Sequence, residues 1–120
     1  MCGIFGYIGQ QNAVSLCLRG LKKLEYRGYD SSGVAWVEDG KIGCYKDAVK
    51  IDALEAALKD SSATPGVAIG HTRWATHGRP SQANAHPHCD MGNTLAVVHN
   101  GIIENYEALR HKLRHEGVVF

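Results

Sequence analysis

Apolar residues set among glycines open the chain. Ile4, Tyr7 and Ile8 alternate with small residues between Gly3 and Gly9, which predicts a short strand over residues 3–9 whose glycines permit close backbone approach. Asn12 follows as a helix cap, and Val14, Cys17, Leu18, Leu21 and Leu24 recur at spacings of three and four, giving one apolar stripe. Cys17 is thereby assigned to the core. Residues 26–33, rich in glycine, aspartate and serine, predict a loop. Strands are predicted over residues 34–38 and 41–45, joined at Asp39-Gly40, a strong signal for a type I′ hairpin. Ile51, Leu54 and Leu58 mark a short helix that ends before a loop over residues 61–66.

The second half is less regular. Residues 67–73 read as a strand and residues 95–99 as another, with about twenty aperiodic residues between them that contain Pro80 and Pro87, a length that suggests a functional loop. A last helix is predicted over residues 103–115, with Tyr106, Leu109 and Leu113 on one face and Gly117 as its stop. Val118, Val119 and Phe120 then read as the start of a further strand, so the expectation is a domain that continues past Phe120. No internal repeat or low-complexity segment is visible.

Composition narrows the classes. With 13 basic and 12 acidic residues and a formal charge of +1, nothing in the charge balance favours nucleic acid or an anionic membrane as partner. No apolar run approaches the roughly 20 residues of a membrane span, and the start has no basic segment followed by a long apolar one, so a cytoplasmic protein is expected. Cys2, Cys17, Cys44 and Cys89 are widely spaced without a Cys-x-x-Cys pair, which argues against a zinc knuckle or a redox motif and for free thiols.

Three stretches carry candidate chemistry. Cys2 becomes the N-terminal residue once Met1 is removed, and then holds a thiol nucleophile beside an α-amine whose reference pKa of about 7.7 to 8.0 suits a general base. By position alone it reads rather as an early residue whose sulfur packs in a core. Residues 71–78 gather His71, Arg73, Trp74, Thr76 and His77; Arg73 offers a planar fork for a carboxylate, and Trp74 a ring that excludes water. Taken singly, Arg73 also reads as a surface ion pair and Trp74 as core filler. His99-Asn100-Gly101 reads as a hairpin turn between apolar pairs, or as an oxyanion hole built from an Asn amide and a Gly N–H. His86, His88 and Cys89 form the one group with metal-ligand chemistry, but Pro87 separates the histidines and no further ligand has a recognisable spacing. The expectation is no metal, with these histidines hydrogen-bonding their loop into place.

Cys2-Gly3-Ile4, residues 24–31, residues 71–78, residues 84–88 and residues 98–105 together resemble the glutaminase domain of the class II glutamine amidotransferases, which are N-terminal-nucleophile hydrolases. Glu25 to Asp30 and Thr72 to His77 resemble the branch that aminates a sugar phosphate, fructose 6-phosphate, more than the amidophosphoribosyltransferase branch. The resemblance implies an α+β fold, the four-layer α/β/β/α sandwich, of which residues 1–120 supply only the N-terminal half. It implies glutamine as substrate and no cofactor. Cys2 would be the nucleophile, attacking through a γ-glutamyl thioester, and Asn100 and Gly101 the oxyanion hole. Arg73, Trp74, Thr76 and His77 would bind glutamine, with Arg27 and Gly28 supporting the nucleophile. An aspartate for the glutamine α-amine, and the isomerase domain that receives fructose 6-phosphate, would lie outside these residues. The parent is expected to be a homo-oligomer and active, and the 120 residues alone weak or inactive. Another class II amidotransferase, or a non-catalytic glutamine-binding module, remains an alternative.

Overall fold

The computed structural model describes residues 1–61, 64–76 and 78–120. Along the chain they form β1 (Gly3–Ile8), α1 (Ala13–Leu24), a 3₁₀ turn (Glu25–Arg27), β2 (Ser31–Glu38), β3 (Lys41–Asp47), α2 (Ile51–Leu58), β4 (Val67–Arg73), β5 (His88–Cys89), β6 (Ala96–Val97) and α3 (Tyr106–His115). The main sheet is antiparallel in the order β1-β4-β2-β3, and β5 and β6 pair separately. Part of the loop expected over residues 61–66, namely residues 62–63, lies outside the described residues.

The apolar stripe of α1 decides how the layers stack. Ala13, Cys17, Leu18 and Leu21 are buried against Val34 and Ala68 of the sheet and Ile51 and Leu54 of α2, with Phe5, Tyr7 and Trp36 packed around them. Asn12 caps α1 as expected: its Oδ1 accepts from Ser15 N at 3.1 Å. The first turn of α2 has no cap of its own, and Glu25 supplies one from the 3₁₀ turn, its Oε2 accepting from Ile51 N at 2.8 Å. Lys22 ties the two helices together by pairing with Asp52. The hairpin between β2 and β3 turns at Asp39 and Gly40, whose φ values of 50° and 72° are those of a type I′ turn.

The opposite face of the sheet carries Ile4, Ile8 and Val37, all exposed, but it is covered at the end that holds His71 and Gly33. There the chain after β4 folds back so that the His86 carbonyl sits over Gly33, where a Cβ would lie 2.2 Å from the carbonyl oxygen. Lys46 holds the same stretch by donating to Ala85 O at 2.8 Å. No described helix is long and apolar enough to cross a membrane.

Four expectations need correction. The loop expected over residues 26–33 is shorter, because Ser31, Ser32 and Gly33 already pair with Arg73, Thr72 and His71 as the first residues of β2. Their small polar side chains hid a buried strand end; Ser32 Oγ donates to Val49 O at 2.7 Å, which satisfies it there. The strand expected over residues 95–99 shrinks to Ala96–Val97 and pairs with β5 rather than joining the main sheet. The last helix begins at Tyr106, after a turn in which Tyr106 N donates to Ile103 O. Residues 118–120 are not a strand: Val118 N–H closes the end of α3 by donating to Leu113 O at 3.0 Å.

Gly33→Ala is expected to destabilise the protein by about 1–3 kcal/mol, since the added methyl meets backbone that cannot step aside. Gly6→Ala, whose Cβ would find its nearest neighbour at 3.8 Å, is expected to leave stability unchanged. Urea unfolding of the two variants checks the contrast.

Candidate active site

Strand pairing brings the start of the chain to the end of β4. Gly3 is opposite Thr72, so Cys2 falls beside Trp74, whose N–H donates to Cys2 Sγ at 3.4 Å, while the thiol faces Trp74 O at 3.7 Å. Gly3 tolerates no side chain here, because a Cβ would lie 2.8 Å from Leu24 Cβ and 2.9 Å from Thr72 Oγ1. The 3₁₀ turn after α1 wraps the same corner. The Met1 ammonium donates to Arg27 O at 2.5 Å, and Arg27 Nη2 lies 3.7 Å from Met1 Sδ. Gly28 fills a slot of bare backbone in which an added Cβ would sit 2.9 Å from Met1 O and from Trp74 N.

Asn100 reaches this corner from the far end of the chain. Its Nδ2 donates to Cys2 O at 3.3 Å, and its Oδ1 lies 2.8 Å from His71 Nε2. Gly101 follows with φ 142°, a left-handed conformation that a side chain would strain. The hairpin reading of Asn100-Gly101 is therefore wrong, since no strand follows and Ile102 and Ile103 are exposed. The Asn side chain is turned to the start of β1 instead.

The segment after β4 is held at its base by Asp30, which donates its own N–H to Arg73 O at 2.9 Å and accepts from Ala75 N at 2.5 Å. Arg73 is buried, whereas Trp74 is exposed and sets its ring edge-on to Tyr29 at 5.3 Å, with the Lys50 ammonium over the other ring. Thr76 is exposed, and His77 lies outside the described residues. The structure thus gathers Cys2, Arg27, Gly28, Trp74 and Asn100, with Gly101 next in chain.

His86 and His88 do not hydrogen-bond their loop into place as expected. His86 stacks on His71 with ring centres 4.3 Å apart and an interplanar angle of 22°, and His88 meets His86 edge-on at 4.4 Å. Among the described residues His86 Nδ1 is buried without a hydrogen-bond partner. Stacked rings do not converge their nitrogens on one point, and no group of metal-ligating side chains occurs among the described residues. Burial, helped by the neighbouring cationic groups, pushes His86 down to about 3. Burial also pushes Cys17 up to about 11, and burial with the adjacent Cys89 thiol does the same to Cys44. Sequence reasoning placed His71 in a chemically dense stretch without giving it a role, and gave Asp30 none. The signal for His71 was a polar ring following the small and aliphatic run Val67 to Gly70 in a buried strand.

No family model matches the chain. Among solved structures, the whole chain superposes on 26% of the glutamine phosphoribosylpyrophosphate amidotransferase from B. subtilis complexed with ADP and GMP, with TM-score 0.79 and 28% identity. A second structure, described as the allosteric regulatory enzyme of purine biosynthesis, gives TM-score 0.82 at 28% identity, again over 26% of its length. The fold is that of the class II glutamine amidotransferase domains, the N-terminal-nucleophile hydrolases, as expected from the sequence. Curated relatives then separate the branches. The chain is 54% identical over 120 residues to the glutamine–fructose-6-phosphate aminotransferase (isomerizing) of Clostridium perfringens, 55% identical over 120 residues to that of Chlamydia trachomatis and 57% identical over 122 residues to that of Aquifex aeolicus. All of the chain is covered in each, and it spans about a fifth of their length, 20% in every case. Over its whole length the chain is similar to these glutamine–fructose-6-phosphate aminotransferases, and its fold places it among the class II glutamine amidotransferase domains.

Two outcomes follow from this geometry. Because the folded chain keeps His86 unprotonated down to about pH 3 while the unfolded chain takes up the proton near 6.5, stability should fall as pH drops through that window. His86→Phe, which keeps a stacked ring but cannot titrate, should flatten the dependence of the urea midpoint on pH. Gly28→Ala should displace the backbone that donates to Cys2 Sγ and slow alkylation of Cys2 by iodoacetamide by about tenfold or more, the loss of one hydrogen bond to a charged group. Quantitative peptide mapping of the alkylated chain checks this.

Proposed function

We propose that these residues carry the glutamine-hydrolysing step of a glutamine–fructose-6-phosphate aminotransferase, with Cys2 as nucleophile. Removal of Met1 frees the Cys2 α-amine, which takes the thiol proton as Sγ attacks the side-chain amide carbon of glutamine. The S–C bond forms, and the carbonyl oxygen becomes an oxyanion that accepts from Asn100 Nδ2 and the Gly101 N–H. The α-ammonium then returns its proton to the leaving nitrogen, the C–N bond breaks and ammonia departs, leaving a γ-glutamyl thioester. Water attacks the thioester with the amine again as base, giving glutamate and the free thiol.

One observation carries this reading: the Asn100 amide donates to the carbonyl of Cys2 itself, across 98 residues of chain. An amide NH₂ has two hydrogens, so one remains for the oxyanion. Arg73, Trp74, Thr76 and His77 are proposed to hold glutamine, Arg73 through its α-carboxylate, and Arg27 and Gly28 to shape the wall beside the thiol. Residues 1–120 are proposed to be one part of the glutaminase domain, which accords with the fifth of the relatives' length that they span. Fructose 6-phosphate would receive the ammonia in the remainder of such a protein, in the cytoplasm.

Treatment of the Met1-processed chain with an electrophilic glutamine analogue is expected to add one adduct, on Cys2. Cys17 and Cys44, held as thiols at neutral pH, should stay unlabelled. An adduct on another cysteine, or equal labelling with a retained Met1, would count against an N-terminal nucleophile. Intact mass followed by peptide mapping reads processing and reactivity together.

A further inference from the structure

The amide of Asn100 has two ends of nearly equal shape and opposite chemistry, and only one of them serves an oxyanion hole. The surroundings decide which end faces Cys2. On one side lies the Cys2 carbonyl oxygen, 3.3 Å from Nδ2, and a carbonyl can only accept. On the other lies His71 Nε2, 2.8 Å from Oδ1. An amide oxygen can only accept, so Nε2 must carry the proton. Were the proton on Nδ1 instead, Nε2 would accept, the amide would turn over, and Asn100 would present an oxygen lone pair to Cys2.

We infer that His71 is a positioning residue for glutamine hydrolysis: its Nε2–H fixes the orientation of the Asn100 amide and thereby aims the amide donors at the Cys2 site. This inference rests on the glutaminase reading of Cys2 and Asn100. His71 is equipped for such a task. It is 1% exposed, so no water competes for Asn100 Oδ1 from its side. Strand pairing fixes its backbone on both flanks, opposite Ile4 in β1 and Gly33 in β2. Its ring is clamped from the other face by His86, and His86 can lie so close because Gly33 has no side chain beneath its carbonyl. Burial favours the uncharged ring, in which a single proton has to be placed; the His99 backbone is a second acceptor close to the ring, but Nδ1 itself has no hydrogen-bond partner among the described residues. A column therefore runs from Gly33 through His86 and His71 to Asn100.

Two measurements test this. In the folded chain, a long-range proton–nitrogen correlation spectrum, with the His71 signals assigned by their loss in His71→Phe, is expected to show protonated Nε2 and bare Nδ1. The reverse tautomer would overturn the inference whatever the activity. In the full-length protein, release of chromophore from a γ-glutamyl anilide by His71→Phe, which keeps a stacked ring but has no donor, is expected to show kcat lowered by about 30-fold or more with KM little changed. His71→Gln, whose amide N–H can reach the same acceptor, should recover most of that loss, and alkylation of Cys2 by iodoacetamide should be unaffected in both. Equal activity of His71→Phe and wild type, equal loss in Phe and Gln variants, or a parallel loss of alkylation would each overturn a positioning role. A wild-type protein whose Cys2 forms no γ-glutamyl adduct would instead refute the glutaminase reading, and the tautomer would still decide what orients Asn100.

Discussion

The register between β1 and β4 is the constraint on which the site depends. Six consecutive pairs, from Gly3 with Thr72 to Ile8 with Val67, fix where the first residues of the chain lie relative to the segment after β4. Side chains in a strand alternate between faces, so a slip of one residue would exchange Phe5 and Tyr7, packed beneath α1, for Ile4 and Ile8. Burial of the two aromatic rings thus enforces the register, and the register sets Cys2 beside the N–H of Trp74. Packing under a helix and placement of a thiol are one decision made by the same strand.

Around that strand the protein spends polar groups in places where most domains put hydrocarbon. His71, Thr72, Ser31, Ser32 and Arg73 are all buried at one end of the sheet, while Leu21, Val34 and Ala68 fill the other. Buried polar groups raise the free energy unless partnered, so such an end is kept only where its geometry is needed. The apolar end, clamped by α1 and α2, supplies the stability that the polar end lacks. The close approaches at Gly3, Gly28 and Gly33 occur at this polar end, where neighbouring side chains and backbone press directly on the glycine.

Much of this was legible in the sequence wherever local periodicity coincides with burial. The stripe from Val14 to Leu24, the cap at Asn12 and the turn at Asp39-Gly40 specify their elements by themselves, and the structure has all three. Reading failed where long-range partners override local signals. Ser31 to Gly33 look like loop residues, yet β4 recruits them into a strand. Asn100-Gly101 has the composition of a tight turn, yet no second strand follows and the side chain bonds to residue 2. His86 and His88 suggested hydrogen-bonding groups because a sequence shows ring nitrogens but not ring stacking. Cys2 and Asn100 stood out because the chemistry read from them is local to single residues; His71 was given no role of its own because its contact with Asn100 exists only in the folded chain.

The distance in sequence between Cys2 and Asn100 also has a temporal meaning. A ribosome adds about 5 to 20 residues each second, so Cys2 is added roughly 5 to 20 seconds before Asn100. Until Trp74 has been added the thiol has neither the Trp74 N–H nor the Asn100 amide beside it. Until then the chain carries the Cys2 thiol without these neighbours, and the pairing of β1 with β4 is the step that brings the Trp74 N–H to it.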